Sequence, residues 1–540
     1  MIATLDNDAN QPPPYADVNL YSSDRALIDA VAANGAKAEA EALAAFGGRW
    51  GSAEMFEQAR FANADPPRLD AETVNFHPAY HRFMAESIGA GLHASTWRDD
   101  ATPAGAPSEV ARAARFYMVA QVENGHQCPI TMTRASVAAL AAEPALAKRL
   151  VPRILGREYD PAFRPWWEKS TITLGMGMTE KQGGTDVRAN TTWARPEGEG
   201  YLITGHKWFM SAPMCDGFLV LAQTKAGLTC FFLPRFRPDG GVNALHFQRL
   251  KDKLGNRSNA SAEVEFTDAF AYRVGEEGKG ISTILQMVQL TRVDCAIASA
   301  GMMRMGLAQA VHHCRHRKVF GKHLVEQPMM RTVLADMTLT VEAAVALVMR
   351  LCRAFDLAPR DPAEAARARL LTPAVKYWVC KTAPRFIYEA MECLGGNGYV
   401  EDSVMPRLYR EAPVNAIWEG SGNVMCLDVL RACAREEGAR GVLAELERES
   451  RDLPGAVETA AAIAQSLTGT NVTSVEANAR AVVERLAQLA AAAALATGAP
   501  AAIAAAFART ALAEGRAPNY GAAALEERET ALLLDRALPP

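Results

Sequence analysis

The sequence predicts a mainly α-helical chain with a small antiparallel β domain at its centre, and three observations carry that expectation. From Ser23 to about Pro152 the chain is Ala-rich, with apolar residues at helical spacing. Between about Ser170 and Glu277 this pattern gives way to short apolar runs separated by Gly, Pro, Asn and Asp. From Gly280 to Arg435 the helical signal returns.

In the first block, Ser108-Glu-Val-Ala-Arg-Ala-Ala-Arg-Phe-Tyr-Met-Val-Ala-Gln sets apolar residues on one helical face behind Ser108, a candidate cap. In the second, Tyr201-Leu-Ile-Thr, Gly217-Phe-Leu-Val-Leu-Ala, Leu228-Thr-Cys-Phe-Phe-Leu and Ala262-Glu-Val-Glu-Phe read as strands. In the third, long helices are expected around Ile284 to Lys318, Gln327 to Phe355 and Pro362 to Cys393. Residues 436–540 read as an appended Ala-rich helical unit, broken at Pro454, around Gly469 and near Pro500. The expected domains are therefore 1–165, 166–280, 281–435 and 436–540.

A chain of 540 residues exceeds what one core comfortably serves, so several packed units and room for a large cofactor are expected. The net charge of -4 supplies no global basic field toward nucleic acid or anionic membrane. Residues 436–540 hold nine Arg, no Lys and 14 Asp plus Glu, a net of -5. The ten cysteines, Cys128 to Cys433, lack CxxC or zinc-finger spacing, which suits reduced thiols and a cytoplasmic location. Met1 to Asn19 is polar and lacks the basic and apolar regions of a cleaved signal peptide. Leu486 to Phe507, the most apolar long stretch in this reading, is interrupted by Gly498 and Pro500 and reads as a packed helical pair rather than a bilayer span.

The strongest local signal is Gly175-Met-Gly-Met-Thr-Glu-Lys-Gln-Gly-Gly-Thr-Asp186. Gly183 and Gly184 allow close backbone approach to a bulky anion, and Thr179 and Thr185 add hydroxyl donors. Taken alone, the segment serves equally as an ordinary loop before a strand. It is neither a GxGxxG dinucleotide turn nor a Walker loop.

Gly177-Met178-Thr179-Glu180-x-x-Gly183-Gly184-Thr185-Asp186-x-x-Ala189 resembles the first signature of the acyl-CoA dehydrogenase family at every specified position. Glu392-x-x-Gly395-Gly396-x-Gly398-Tyr399-x-x-Asp402, followed by Arg407 and Glu411, resembles the second. The run from Tyr21 to Arg435 is similar to the AidB-like, alkylation-response branch. The likeness is strongest in Gly175 to Thr192, in Leu250-Lys-Asp-Lys-Leu-Gly-Asn-Arg-Ser-Asn-Ala-Ser261 and in Ile417 to Arg431. It fades in the last hundred or so residues. The resemblance implies the acyl-CoA dehydrogenase fold: a helical N-terminal domain, a β-barrel-like middle domain and a helical bundle, here with a C-terminal helical extension.

The same resemblance implies FAD. Met178 and Thr179 match residues at the flavin ring, and Gly184 and Thr185 match residues beside the pyrophosphate. Met176 and Gly396 are grouped with them. In Gly205-His-Lys-Trp-Phe-Met-Ser211, Phe209 matches the aromatic lying on the isoalloxazine, where most of the family has Trp, and Ser211 matches a hydroxyl reaching the flavin. Read without the family, an aromatic in a strand is core. Arg317-Lys-Val-Phe320-Gly321 matches an Arg-x-x-Phe-Gly segment that reaches the FAD of a neighbouring subunit, implying an oligomer, a homotetramer by resemblance. Read alone, an Arg and a Phe three apart on a helix are a solvated charge beside a buried ring. His312 and His316, at i and i+4, could pair on a metal, but Arg315, Arg317 and Lys318 would repel a cation, and the expectation is no metal.

Glu419, in Trp418-Glu-Gly-Ser-Gly-Asn423, corresponds to the family's catalytic base. Removing an α-proton from a thioester while hydride leaves the β-carbon for flavin N5 needs a partly desolvated carboxylate of raised proton affinity. Donors must also stabilise the enolate, a role the family gives to backbone N–H of the Glu loop and a ribityl hydroxyl. Relatives that place the base elsewhere use the position that is Thr291 here, which has no carboxylate. Arg292 would hold the base loop or the acyl group, and Ser421 and Asn423 would touch FAD. Outside this context a Glu in a Gly-flanked loop is a surface residue.

The first functional expectation is an FAD-dependent acyl-CoA dehydrogenase acting on a short or branched acyl-CoA, reoxidised by an electron-transfer flavoprotein. The second is an AidB-like flavoprotein that binds double-stranded DNA and limits alkylation damage. Such binding is assigned in that branch to a basic C-terminal domain, whereas this stretch is acidic. Arg431, Arg435 and Arg440 could still form a basic face, or be solvated helix ends. A nitroalkane-oxidising relative would resemble a form with Asp at the base position.

Overall fold

The computed structural model describes residues 10–97, 108–467, 472–515 and 517–539. They pack as two compact units. One comprises Glu57–Ala104 and Glu123–Asp294; the other comprises Met1–Phe56, Gly105–Val122 and Cys295–Pro540.

The first unit is built on a sheet. A hairpin of β1 (Arg68–Asp70) and β2 (Thr73–Asn75) precedes helices Pro78–Gly89, Gln127–Leu140 and Pro144–Ile154. The main sheet has seven strands: β3 (Leu174–Gly177), β4 (Trp193–Glu197), β5 (Gly200–Ser211), β6 (Gly217–Thr224), β7 (Gly227–Pro234), β8 (Leu245–Leu250) and β9 (Ser261–Val274). Their order is β3-β6-β4-β5-β9-β7, with β7 returning to pair with β6 and β8 lying on β9. Pairing is antiparallel except β3–β6 and a single bridge between β4 and β6. Those two are parallel because the long excursion between β3 and β6 returns the chain in the same direction, which a tight hairpin cannot do.

The four apolar runs expected to be strands fall on β5, β6, β7 and β9. β6 and β7 are buried along nearly their whole lengths, so their continuous apolar sequence, Phe218 to Leu221 against Phe231 to Leu233, forms the centre of this unit. β3 is Leu-Gly-Met-Gly and β4 contains Pro196, sequences with little strand preference that neighbouring strands hold in place.

The second unit is helical. Pro328–Leu357 and Pro362–Cys393 are mostly buried and pack on each other. Val472–Gly498 and Glu527–Ala537 pack on Pro328–Leu357, so residues 436–540 share a unit with the bundle. Part of their acidity is used there: Arg367, buried on Pro362–Cys393, meets Glu445 at 3.2 Å and Glu449 at 2.6 Å. Gly301 allows helix Gly280–His316 to lie against Ser108–Ala120, because a Cβ there would come within 2.4 Å of the Tyr117 carbonyl oxygen. By length and composition, Pro328–Leu357 and Thr473–Gly498 could cross a membrane, but most of each apolar stretch is covered within the protein, as in a core helix.

The long helices expected in the third block occur at Gly280–His316, Pro328–Leu357 and Pro362–Cys393. Helix breaks fall at Pro454 and Pro500, and the one expected around Gly469 lies outside the described residues. The helix after the candidate cap begins at Ser108 itself. All ten cysteines are free.

Candidate active site

The sheet unit carries the first signature. After β3, where Met176 is buried, the chain turns out of the sheet at Met178 and closes a tight turn through a bridge between Glu180 and Gly183. The Glu180 carboxylate points inward. Lys207 Nζ donates to its Oε1 at 2.7 Å and to the Leu221 carbonyl at 2.8 Å. The Thr191 N–H donates to Glu180 Oε2 at 2.7 Å, and Gln182 Nε2 donates to the same oxygen at 2.6 Å. Burial alone would raise Glu180, but the Lys207 ammonium and the N–H donors outweigh it and bring the pKa to about 2.

With its charge consumed inside, the turn presents Met178, Thr179, Gly184 and Thr185 at half-buried or exposed positions. Thr179 is pinned by its carbonyl, which accepts from Trp208 N at 2.8 Å. Gly184 lies close over it: a Cβ there would sit 3.1 Å from Thr179 Oγ1.

The register of β5 on β9 slips between Lys207 and Met210, so Trp208 and Phe209 together oppose one residue. This bulge interrupts the in-and-out alternation and leaves Phe209 49% exposed rather than in the core. Lys251 Nζ lies 3.4 Å from the Trp208 ring centroid and 4.6 Å from that of Phe209, and pairs with Glu263 at 2.6 Å. Ser211 Oγ shares a hydrogen bond with Ser261 Oγ at 2.9 Å. In the same unit Arg292 is buried, with Gln289 Oε1 at 3.4 Å, and Thr291 Oγ1 donates to the Val288 carbonyl at 2.9 Å.

The helical unit carries Glu419. Its backbone is left-handed, φ 59°, and Gly420 follows at φ 107°. The carbonyls on either side, of Trp418 and Gly420, both accept from Lys376 Nζ, the former at 2.8 Å. Trp418 Nε1 donates to Asn415 Oδ1 at 2.9 Å, and Asn415 Nδ2 donates to Ser299 Oγ at 3.1 Å. The loop is thus held by its backbone and by Trp418, with the half-buried Glu419 at its bend.

The family models match in order along the chain. Residues 10–161 match the adaptive response protein AidB N-terminal domain, 175–269 the acyl-CoA dehydrogenase middle domain and 278–434 the acyl-CoA dehydrogenase C-terminal domain. AidB of Escherichia coli (strain K12) is 50% identical over 446 residues, covering 81% of this chain and 82% of that protein. The chain belongs to the AidB branch of the acyl-CoA dehydrogenase family.

Acyl-CoA dehydrogenase family member 11 of Caenorhabditis elegans is 31% identical over 73% of this chain and 67% of its own length. The solved structure of Caenorhabditis elegans ACDH-11 in complex with C11-CoA superposes with a TM-score of 0.82 at 24% identity, covering 98% of this chain and 93% of that one. The Bd2924 apo-form superposes at 0.81 with 26% identity, covering 90% and 99%. The likeness to the ACDH-11 structure therefore runs on through the C-terminal helices, beyond residue 434 where the dehydrogenase C-terminal domain match ends.

The remaining residues singled out for this AidB-branch chain lie in the helical unit. Arg317 and Phe320 are not three apart on a helix, because helix Gly280–His316 ends before them. A hairpin of β10 (Lys318–Val319) and β11 (Lys322–His323) turns at Phe320 and Gly321, both with positive φ as in a type I′ turn. Phe320 is 95% exposed at its tip, so the reading of a buried ring is corrected. Arg317 Nη1 donates to the Asn10 carbonyl at 2.8 Å. Gly396 opens the short helix Gly396–Tyr399 and is exposed. Ser421 is the exposed residue before helix Gly422–Arg435, and Asn423 Oδ1 accepts from Arg480 Nε at 2.8 Å. His312 shares a hydrogen bond with the Pro13 carbonyl at 2.8 Å, and His316 with the His312 carbonyl.

Sequence reasoning missed four buried or half-buried groups that shape these loops: Lys207, Trp208, Lys251 and Lys376. It also missed a relay in the sheet unit, where Ser87 Oγ meets His126 Nε2 at 2.9 Å and His126 Nδ1 meets Glu123 Oε2 at 2.6 Å. The connectivity is that of a hydrolase triad, yet Ser87 and His126 are wholly buried, and Glu123 is also bonded by Ser258 Oγ at 2.6 Å. Burial would raise Glu123, but the His126 and Ser258 hydrogen bonds hold it well below the usual carboxylate range. The relay anchors Ser258, part of the stretch singled out in the sequence. A separate cavity of about 270 Å³, edged by Phe76, His81, Tyr159, Phe163 and Met214, takes in none of the expected site residues.

Proposed function

We propose that the protein is an FAD-dependent acyl-CoA dehydrogenase in which Glu419 removes the α-proton of a short or branched acyl-CoA. The observation that carries this reading is the Glu419 loop: a carboxylate at the bend of a Trp-Glu-Gly segment, its backbone fixed from behind by Lys376. A base that must meet one carbon needs such fixed geometry. The residues of the sheet unit fit a flavin, with an aromatic face turned out by a bulge, the hydroxyls of Thr179 and Thr185 at the glycine turn, the Ser211 hydroxyl shared with Ser261, and a turn whose own carboxylate is already neutralised. FAD, when bound, supplies the acceptor for the β-hydride. Glu419 takes the proton at its carboxylate, and backbone N–H of its loop steadies the thioester carbonyl as charge develops.

Phe320, exposed on a left-handed backbone, supports the homotetramer in which this tip reaches a neighbour's FAD. An electron-transfer flavoprotein is the expected oxidant and the cytoplasm the expected location. The test is anaerobic titration of the yellow protein with a panel of acyl-CoAs, following flavin bleaching. Bleaching by one chain class, lost in Glu419→Gln with FAD retained, is the expected result. Full FAD occupancy with no bleaching by any thioester refutes the reading. Branch membership supports the alternative of double-stranded DNA binding with weak or no dehydrogenase activity. A DNA shift whose strength falls steeply with salt would favour it, against the net of -5 in residues 436–540.

A further inference from the structure

We infer that Lys376 is a positioning residue that strengthens the enolate-stabilising N–H of the Glu419 loop by placing a buried positive charge on the far side of the same peptide. The inference rests on Glu419 being the base. Lys376 sits on helix Pro362–Cys393 and is 1% exposed. Its Nζ donates to the Trp418 carbonyl at 2.8 Å and to the Gly420 carbonyl, and neither acceptor is a carboxylate.

The Trp418 carbonyl belongs to the peptide whose N–H is that of Glu419, and the Gly420 carbonyl to the peptide whose N–H is that of Ser421. Both peptides are trans, so each N–H points away from the oxygen that Lys376 holds. A cation on the carbonyl oxygen draws electron density across the amide and makes its N–H a stronger donor, and low dielectric amplifies the effect. One turn along the helix, burial pushes the Cys380 thiol up, so no thiolate there neutralises the ammonium. Lys376 therefore does two things at once: it fixes the direction of the Glu419 N–H, and it biases that N–H toward an oxyanion. It touches no substrate atom in this scheme.

The test uses the FAD-loaded protein and 3-thiabutanoyl-CoA, a short thioester whose sulfur replaces the β-carbon so that no hydride can leave. A ¹³C label on its thioester carbonyl lets isotope-edited infrared read the strength of the donors. Wild type is expected to lower the carbonyl stretch, Lys376→Arg to keep most of that shift and Lys376→Met to lose at least about half of it. In Lys376→Met, dissociation constants should stay within about threefold, and turnover of any active acyl-CoA should fall about 10- to 100-fold in kcat with little change in KM. A full shift in Lys376→Met overturns the inference. Binding to wild type with no shift overturns it too, and failure of wild type to bind the probe overturns the dehydrogenase reading itself. Should Lys376→Met not fold, Lys376→Gln against Lys376→Arg makes the same comparison, and equal shifts overturn it. Loss of fold in all three assigns Lys376 to stability alone and also overturns it.

Discussion

Two loops in this protein are each fixed by a buried lysine, and they are fixed in opposite ways. In the turn after β3, Lys207 grips a side chain, the Glu180 carboxylate, and the turn is left to present backbone and hydroxyls. In the loop around Glu419, Lys376 grips the backbone carbonyls of Trp418 and Gly420 instead. The first arrangement suits a surface that must cradle a bulky anion. The second suits the base proposed above, a carboxylate that would have to meet a single carbon. A buried ammonium is thus an anchor whose chemical consequence depends on whether it takes its loop's side chain or its main chain.

The contrast breaks most visibly when the anchors are removed. Lys207→Met strands a buried carboxylate and should cost about 3–5 kcal/mol by denaturant midpoint, and if FAD binds at this turn as proposed, flavin fluorescence should show its loss. The double variant Glu180→Gln/Lys207→Met should recover much of it. Lys376→Met strands two carbonyls instead and should cost less, about 1–3 kcal/mol. Equal losses would mean that the two anchors do not differ as described.

Acid separates them further. Glu180 has its pKa lowered from 4.5 to about 2 on folding, so its contribution is present above about pH 4.5 and is lost as pH falls toward 2. Acid unfolding curves should show part of their slope in that window, and Glu180→Gln should flatten it. The smallest effect is at the bend itself. A Cβ at φ 59° is strained, so Glu419→Gly should be more stable than Glu419→Ala by about 1 kcal/mol while both lack the carboxylate. Differential scanning calorimetry on the pair would check this.

The architecture was legible because its signals are local. Helical period and the Pro454 and Pro500 breaks announce the helices, and the apolar runs of β6 and β7 announce the sheet centre. The motif positions were legible too, but only as types of residue in a familiar order. Not legible were features that depend on pairing across the chain: the parallel β3–β6 ladder, the bulge that turns Phe209 outward, and the two lysine anchors. Lys207 lies 27 residues from Glu180, and Lys376 lies 42 residues from Trp418. No local pattern distinguishes either from a solvated lysine. Phe320 misled for the same reason, since helical spacing carried past His316 predicts a buried ring where a hairpin exposes it.

That hairpin makes dilution an experimental variable. A phenylalanine held almost entirely in solvent on a left-handed backbone is disfavoured twice within one chain, by hydration and by conformation. If the ring completes a neighbour's cofactor site, flavin retention becomes a mass-action property of the assembly, and the yellow colour should wash out below a threshold protein concentration rather than at a fixed flavin concentration.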